Sequence, residues 1–288
     1  MLIHISEIIK EGREKKFALG AFNTFNLEST LGIAGAAEEK KAAAILQVSE
    51  ATISYAGLKA ITHIVKTVAK NQAREARIAL HLDHGKKFLS VVECIKAGFS
   101  SVMMDAADLP FDENVALTKK AVDYAHKHKV WAQGELGKIV KEPLEIEELR
   151  RNPEKFLTDP DLAREFVRKT NVDTLAVSIG NVHGFYKMKN GAPHLFLNHL
   201  KEIREKVNVP LVLHGASGIS VEETKKAREL GVQIVNIDTE IRMTFRESLS
   251  RSLAEAGANG EFDPRKILEP SIKAIKELVK RKIGDFGQ

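Results

Sequence analysis

The sequence predicts an α/β protein, a single-domain (β/α)8 barrel of the TIM type, and three observations lead there. Eight short apolar, β-branched runs recur along the 288 residues, and each interval between them has room for one helix and its turns. No Gly-x-Gly-x-x-Gly turn follows the first run and no Gly-x4-Gly-Lys-Ser/Thr stretch occurs, so an open doubly wound sheet, the nearest rival, lacks its nucleotide fingerprints. Closed barrels of roughly 250 residues form one domain, and no Pro/Ser-rich linker or low-complexity tract divides this chain.

In chain order the predicted strands are FALGAFN (17–23), AAILQVS (43–49), RIALHLD (77–83), SVMMDA (101–106), VWAQGEL (130–136), DTLAVSIG (173–180), VPLVLHG (209–215) and VQIVNID (232–238). Their starts lie 23 to 43 residues apart. The helical intervals carry their own signals. ECIKAGFSS closes on Gly98, a C-cap residue. In ENVALTKKAVDYAHKH the apolar residues 115, 117, 121, 122 and 125 form one helical stripe. The longest interval makes an excursion at about 137–172, with a helix of its own in KEPLEIEELRRNPEKF, and a C-terminal helical segment starts at about 264.

Composition narrows the class. Hydrophobic residues at 43% and charged residues at 29% fill a large core and exclude disordered or collagen-like chains. Lys and Arg number 44 against 39 Asp and Glu, and the net +5 is spread along the chain instead of gathered into the basic stripe of a nucleic-acid binder. No apolar run approaches the roughly 18 residues of a membrane span. The single Cys94 forms no internal bridge, and the N-terminus places charges every few residues with no apolar signal core. A soluble, cytoplasmic protein is expected.

In a parallel barrel, chemistry gathers where strands end. The third run ends His81-Leu82-Asp83-His84, the fourth at Asp105 and the fifth at Glu135; His183 follows the sixth, His214 ends the seventh, and Asn236-Ile237-Asp238-Thr239 closes the eighth. Three histidines at three strand ends, with carboxylates between them, make a Zn2+ constellation that keeps a position open for substrate. Any one of these residues alone is commonplace; their joint placement carries the argument. His126 and His128 read as solvated near a helix end, and His4, His63, His194 and His199 fall in helices or loops, so all six are left out. Gly184, Gly215 and Gly218 allow backbone N–H groups to approach an anion, with Ser217 and Thr239 adding hydroxyls at the usual phosphate position of such barrels. A metal and a phosphate cradle on one face suggest a phosphosugar substrate.

Together the stretches GAFNTFNLE, AAILQVSE, ALHLDHG, SVMMDAADLPFDENV, GELG, GNVHGFY, VPLVLHGASGI, VNIDTE and DPRKIL closely resemble the class II, metal-dependent ketose-bisphosphate aldolases, over nearly the whole chain. The resemblance implies His84, His183 and His214 as ligands of a catalytic Zn2+. It implies Asp105 and Glu135 at a second or alternative metal position, open to a further divalent or monovalent cation, and Asp83 as the acid/base at the C4 oxygen. Gly184, Gly215, Ser217, Asn236, Asp238 and Thr239, with Ala216 and Ile237 inside the same motifs, match the dihydroxyacetone-phosphate site; Asn23 and Ser49 match further substrate contacts. Arg265 matches an arginine that serves the site of a neighbouring subunit, which implies a homodimer or homotetramer. The metal is the electron sink, so no lysine Schiff base is needed.

Two departures stand out. Relatives follow Glu-Leu-Gly with a Gly-Gly-x-Glu-Asp loop whose Glu moves the C3 proton; here Lys138-Ile139-Val140-Lys141-Glu142 follows Gly137, leaving Glu142 first and Glu145 second as substitutes, with Glu147 and Glu148 behind them. Gln133 stands where many relatives carry a carboxylate. The expected reaction is reversible cleavage of fructose-1,6-bisphosphate to dihydroxyacetone phosphate and glyceraldehyde 3-phosphate, a choice resting on the needs of central metabolism. LHGASG lies closer to the tagatose-1,6-bisphosphate type, and another aldehyde partner, a metal-dependent phosphosugar epimerase and an inactive phosphosugar-binding paralogue stay open. One local puzzle follows from pleating. Adjacent residues of a strand face opposite ways, so Asp83 and His84 both reach the mouth only if the strand ends or twists there.

Overall fold

The computed structural model describes residues 2–140, 142–184 and 194–288. Eight parallel strands close on themselves in sequence order: β1 (Leu19–Asn23), β2 (Ala43–Ser49), β3 (Arg77–Gly85), β4 (Ser101–Met104), β5 (Trp131–Leu136), β6 (Thr174–Val177), β7 (Leu211–Leu213) and β8 (Val232–Ile237). β8 returns to pair with β1, Ala21 opposite Asn236. β6 and β7 are shorter than their apolar runs, so Gly180 and His214 lie in loops beyond the last pairs.

The barrel interior changes character along the strands. At the start of the strands Leu19, Ala21, Ala43, Ile45, Ala79, Ala176, Val212 and Ile234 form an apolar cluster. Ile5, Ile8 and Ile9 of the helix Ile5–Lys15 join it from below. That helix is absent from the sequence expectations, which read the charged N-terminal stretch only for targeting signals; its buried stripe makes it the floor of the barrel. Each isoleucine withdrawn from water there contributes about 1.5–3 kcal/mol. The larger apolar cluster lies between the strands and the surrounding helices.

The excursion after β5 builds a small core of its own. Val140, Ile146, Leu149 and Phe156 bury together with Val182. Its helix is Pro143–Arg151, followed by a tight turn at Pro153–Lys155; Pro160–Thr170 is the ordinary crossover helix to β6. The His183 N–H donates to the Val140 carbonyl at 2.9 Å. Packing of the excursion therefore positions the loop that carries His183. At the other end, the helices Thr239–Asn259 and Pro264–Asp285 follow β8, and the Gln288 side chain bonds both the N–H and the carbonyl of Ala43. Among the described residues no helix is long and apolar enough to cross a membrane.

Candidate active site

The puzzle at Asp83 and His84 is solved by a bulge. β3 pairs with β2 residue for residue up to Ser49 opposite Asp83, but its register against β4 jumps between Leu82 and Gly85. The extra residue re-aims the strand, and His84 adopts φ 47°, the left-handed region that side chains other than glycine rarely enter. Such a conformation costs on the order of 1–3 kcal/mol and persists only where the surroundings enforce it. Gly85 is part of the device, since a Cβ there would meet the Met103 carbonyl oxygen at 2.5 Å.

Beyond the bulge three imidazoles converge. His84, His183 and His214 present ring nitrogens within 4.8 Å of one another, the first two half-buried and the third buried. His84 Nε2 and His214 Nδ1 are 2.9 Å apart, and the His183 and His214 rings stack with centroids 6.0 Å apart. Two of the rings are held from behind. His84 Nδ1 donates to Asp105 Oδ2 at 2.7 Å, and Gln133 sits 2.9 Å from His214 Nε2. Asn181 donates to the His214 carbonyl at 3.0 Å, tying the loop after β6 to the loop after β7.

A chain of amides fixes Asp83. Gln47 Nε2 donates to Asn23 Oδ1 at 2.6 Å, and Asn23 Nδ2 donates to Asp83 Oδ2 at 2.8 Å. Asp83 Oδ1, Gln47 Oε1, Asn236 Oδ1 and Glu135 Oε2 are buried without a hydrogen-bond partner among the described residues. A desolvated acceptor left alone costs about 1–3 kcal/mol, so these oxygens are arranged to meet donors or a cation. With three imidazole nitrogens within 4.8 Å of one another and a cavity beside them, the donor set fits a divalent metal.

Asp105 and Glu135 belong to a second donor group, which shares His84 with the first; their ligand atoms also lie within 4.8 Å. Burial and neighbouring charges set the protonation of both groups. Burial opposes a charge on His84, but Asp83, Asp105 and Glu135 outweigh it and raise its pKa to about 10. Burial, with the charge of Asp105 acting in the same sense, lifts Glu135 to about 8. Asp105 is driven upward by burial, yet His84 and Lys86 hold it below the usual carboxylate range. Burial, then the neighbouring His84 and His183, keeps His214 uncharged.

The two groups open on different cavities. Beside the imidazoles a cavity of about 490 Å³ is lined by Asn23, Asp83, His84, His183, Gly184, His214, Gly215, Ser217, Asn236, Asp238 and Thr239. The structure thus gathers most of the predicted site residues in one place. Gly215 takes φ 58°, and a Cβ there would meet the Val182 carbonyl oxygen at 2.4 Å, so the loop after β7 closes tightly only with glycine. The second cavity lies to the side, lined by His84, Lys86, Asp105, Glu135, Lys138, Glu142 and Glu145 among others. Of the loop glutamates, Glu142 is exposed and without a side-chain partner among the described residues, whereas Glu145 pairs with Lys138 and Glu148 with Lys155.

Four predicted residues stand apart. The Ser49 hydroxyl caps the helix Glu50–Ala56 and does not line the main cavity. Ala216 gives its N–H to the Asn236 carbonyl, and the Ile237 side chain is buried in the outer core. Arg265 is 89% exposed, ion-paired with Asp263, and not among the residues lining the cavity of its own chain. Phe185 and Tyr186 of GNVHGFY lie outside the described residues. The solvated reading of His126 is corrected, since its ring is partly buried and bonds Asp173 at 2.9 Å.

Sequence reasoning missed Gln47, Arg242 and Arg246 among the cavity residues. The signals were there. Gln47 is a polar residue two positions before Ser49 on a buried strand, and Asp238, Arg242 and Arg246 recur every four residues along one helical face. Arg242 donates to Asp238 at 2.6 Å. His81, assigned no role, is buried and bonds the Ser101 hydroxyl, and burial lowers its pKa to about 4.

Comparison with known proteins agrees with this geometry. The family described as "Fructose-bisphosphate aldolase class-II" matches residues 3–288. The chain is 39% identical to a probable fructose-bisphosphate aldolase of Bacillus subtilis (strain 168) over 287 residues, covering 99% of this chain and 98% of that one. It is 38% identical to the fructose-bisphosphate aldolase of Thermus caldophilus over 310 residues, covering 100% of this chain and 98% of that one. The crystal structure of the YdjI aldolase from Escherichia coli K12 superposes with a TM-score of 0.83 at 33% identity, over 100% of this chain and 98% of that one. The chain belongs to the metal-dependent, class II fructose-bisphosphate aldolase family.

Proposed function

We propose that the chain is a Zn2+-dependent aldolase that reversibly cleaves fructose-1,6-bisphosphate into dihydroxyacetone phosphate and glyceraldehyde 3-phosphate, a step of glycolysis. The observation that carries this reading is the convergence of His84, His183 and His214 beside Asp83, in a cavity also lined by Gly215, Ser217, Asp238 and Thr239. His84, His183 and His214 would hold the Zn2+, which would supply a Lewis acid for the substrate ketone.

The chain's own groups do the rest. Asp83, whose Oδ2 is anchored by Asn23 and whose Oδ1 has no hydrogen-bond partner among the described residues, accepts the C4 hydroxyl proton in cleavage and returns it in synthesis. Ser217 and Thr239 hold one phosphate at the N-terminus of the helix Thr239–Asn259, where the helix dipole favours an anion. Arg242 and Arg246 add cationic charge to the same cavity. Glu142 moves the C3 proton, a role suited to a carboxylate in the adjoining cavity with no ion-pair partner among the described residues. Arg265 meets the second phosphate in the site of another copy of the chain, which suits an arginine 89% exposed beside the exposed Phe262, and makes the active form a homodimer or homotetramer. A cytoplasmic location accords with a lone, buried thiol at Cys94.

The test is triose-phosphate release from fructose- and tagatose-1,6-bisphosphate side by side, with EDTA and after restored Zn2+. EDTA-sensitive release, faster with the fructose sugar, supports the proposal. Faster release from the tagatose sugar moves the assignment to the C4 epimer, and no release from either, with Zn2+ bound, overturns it.

A further inference from the structure

We propose that Lys86 is a tethered cation that occupies the second donor group, so that each chain takes up a single divalent metal ion. This rests on the reading of His84, His183 and His214 as the catalytic metal site. The His84–Asp105–Glu135 group has the residue types of a cation site, with one imidazole, two carboxylates and a buried oxygen on Glu135 that has no hydrogen-bond partner among the described residues. Its Asp105 is already engaged. Asp105 Oδ2 accepts from His84 Nδ1 at 2.7 Å and lies 2.9 Å from Lys86 Nζ, while Oδ1 accepts from the Ala107 N–H at 3.3 Å.

The backbone delivers Lys86 to this place. The bulge at His84 turns the chain, Gly85 pairs with Met104, and the N–H groups of Lys86 and Lys87 both donate to Glu50 Oε1, at 3.0 and 3.1 Å. From that fixed start the ammonium bridges Asp105 and Asp108, each at 2.9 Å. The contact with Asp105 is at the buried end of the pair, for the Asp105 side chain is only 4% exposed and solvent screens it weakly. A divalent ion entering the group would have to displace the ammonium from Asp105 and then share a poorly screened space with it. Lys138 lines the same lateral cavity but is ion-paired with Glu145, which leaves Lys86 as the cation against Asp105. No lysine lines the imidazole cavity among the described residues, and its cations, Arg242 and Arg246, belong to the helix after β8. The two donor groups, joined at His84, are thus separated by charge: one receives the metal and the other carries its own cation.

The full-length chain, stripped with chelator and equilibrated with excess Zn2+, is passed over a desalting column and its metal counted by mass spectrometry. The wild type should retain about one Zn2+ per chain, and Lys86→Met, which keeps the length of the stem and removes the charge, about two. Lys86→Ser should behave as Lys86→Met does, Lys86→Arg should stay at one, and adding Glu135→Gln to Lys86→Met should return the count to one. A wild type that retains two ions, or Lys86→Met and Lys86→Ser both folded by circular dichroism and still at one, would overturn the role of Lys86 while leaving the imidazole site intact. A count of zero throughout would overturn both readings.

Discussion

The two donor groups at the mouth of the barrel share a histidine and differ in almost everything else. One consists of three imidazoles, neutral as metal ligands, beside a large cavity lined by Asp83, Gly215, Ser217 and Thr239. The other adds two buried carboxylates to the same His84, and lysines stand at its edge. Carboxylates withdrawn from water demand a counter-charge, and the chain supplies one from Lys86. Neutral imidazoles make no such demand. A ligand-competent set of residues is therefore not yet a metal site; the surrounding charge decides which set remains open.

The comparison is broken most sharply at His214, which serves only the first group. His214→Ala leaves two imidazoles, so Zn2+ and activity should be lost together, with kcat/KM falling on the order of 10⁴-fold. Full metal content with near-normal turnover would remove His214 from the ligand set. Asp83 separates chemistry from ligation: Asp83→Ala should keep its metal and still bind dihydroxyacetone phosphate, with kcat down by about 10²–10⁴-fold. An unchanged kcat rules out the proton-transfer role.

A smaller effect is expected behind His214. Gln133 Nε2 lies 2.9 Å from His214 Nε2, while its Oε1 accepts from the Thr174 hydroxyl. When Nδ1 gives its lone pair to a metal, Nε2 carries the proton, and turning the Gln133 amide over presents its oxygen to accept it. Gln133→Leu should weaken Zn2+ binding by about 10–100-fold, read from competition with a chromophoric chelator, and Gln133→Glu should restore or exceed the wild-type affinity. Equal affinities in all three proteins would show that the amide does not orient the ring.

The mildest effect concerns protons. His84 rises to about 10 in the metal-free fold from 6.5, and Glu135 to about 8 from 4.5. In both cases the folded chain holds a proton that the unfolded chain has released. Their contribution to stability is therefore complete below pH 4.5 for Glu135 and below 6.5 for His84, and is lost as pH rises through about 8 and about 10 respectively. The metal-free chain should melt a few degrees lower at pH 9 than at pH 6.5. Zn2+ should flatten that slope, because ligation requires the His84 proton to leave. A metal-free melting temperature that climbs over this interval would contradict the assigned protonation.

Much of this was legible in the chain. Apolar runs of strand length alternating with helical stripes specify a parallel barrel, and strand ends in such a barrel converge on one face, so His84, His183 and His214 could be grouped without coordinates. Less legible was the floor helix Ile5–Lys15, whose four buried residues are hidden in a strongly charged segment. Gln47 and Arg246 escaped because a polar residue in a strand or helix announces a partner only once the facing element is known. Ser49, Ala216 and Ile237 lie within site motifs, yet a helix cap, a backbone hydrogen bond and the outer core respectively claim them.

Asp83 and His84 mark the boundary between the two kinds of information. By itself the sequence determined that an acid and a histidine stand side by side at the end of a buried strand, because residue type and hydrophobic period are local properties. Only the tertiary structure decided that both face the cavity, since that depends on a register slip against β4 and a left-handed backbone at His84. The placement of Lys86 against Asp105 was decided in the same way. It depends on where the bulge leaves the chain and on Glu50, thirty-six residues earlier, holding the next N–H groups. Patterns along the chain encode which faces are buried; which charge meets which is settled when distant segments pack.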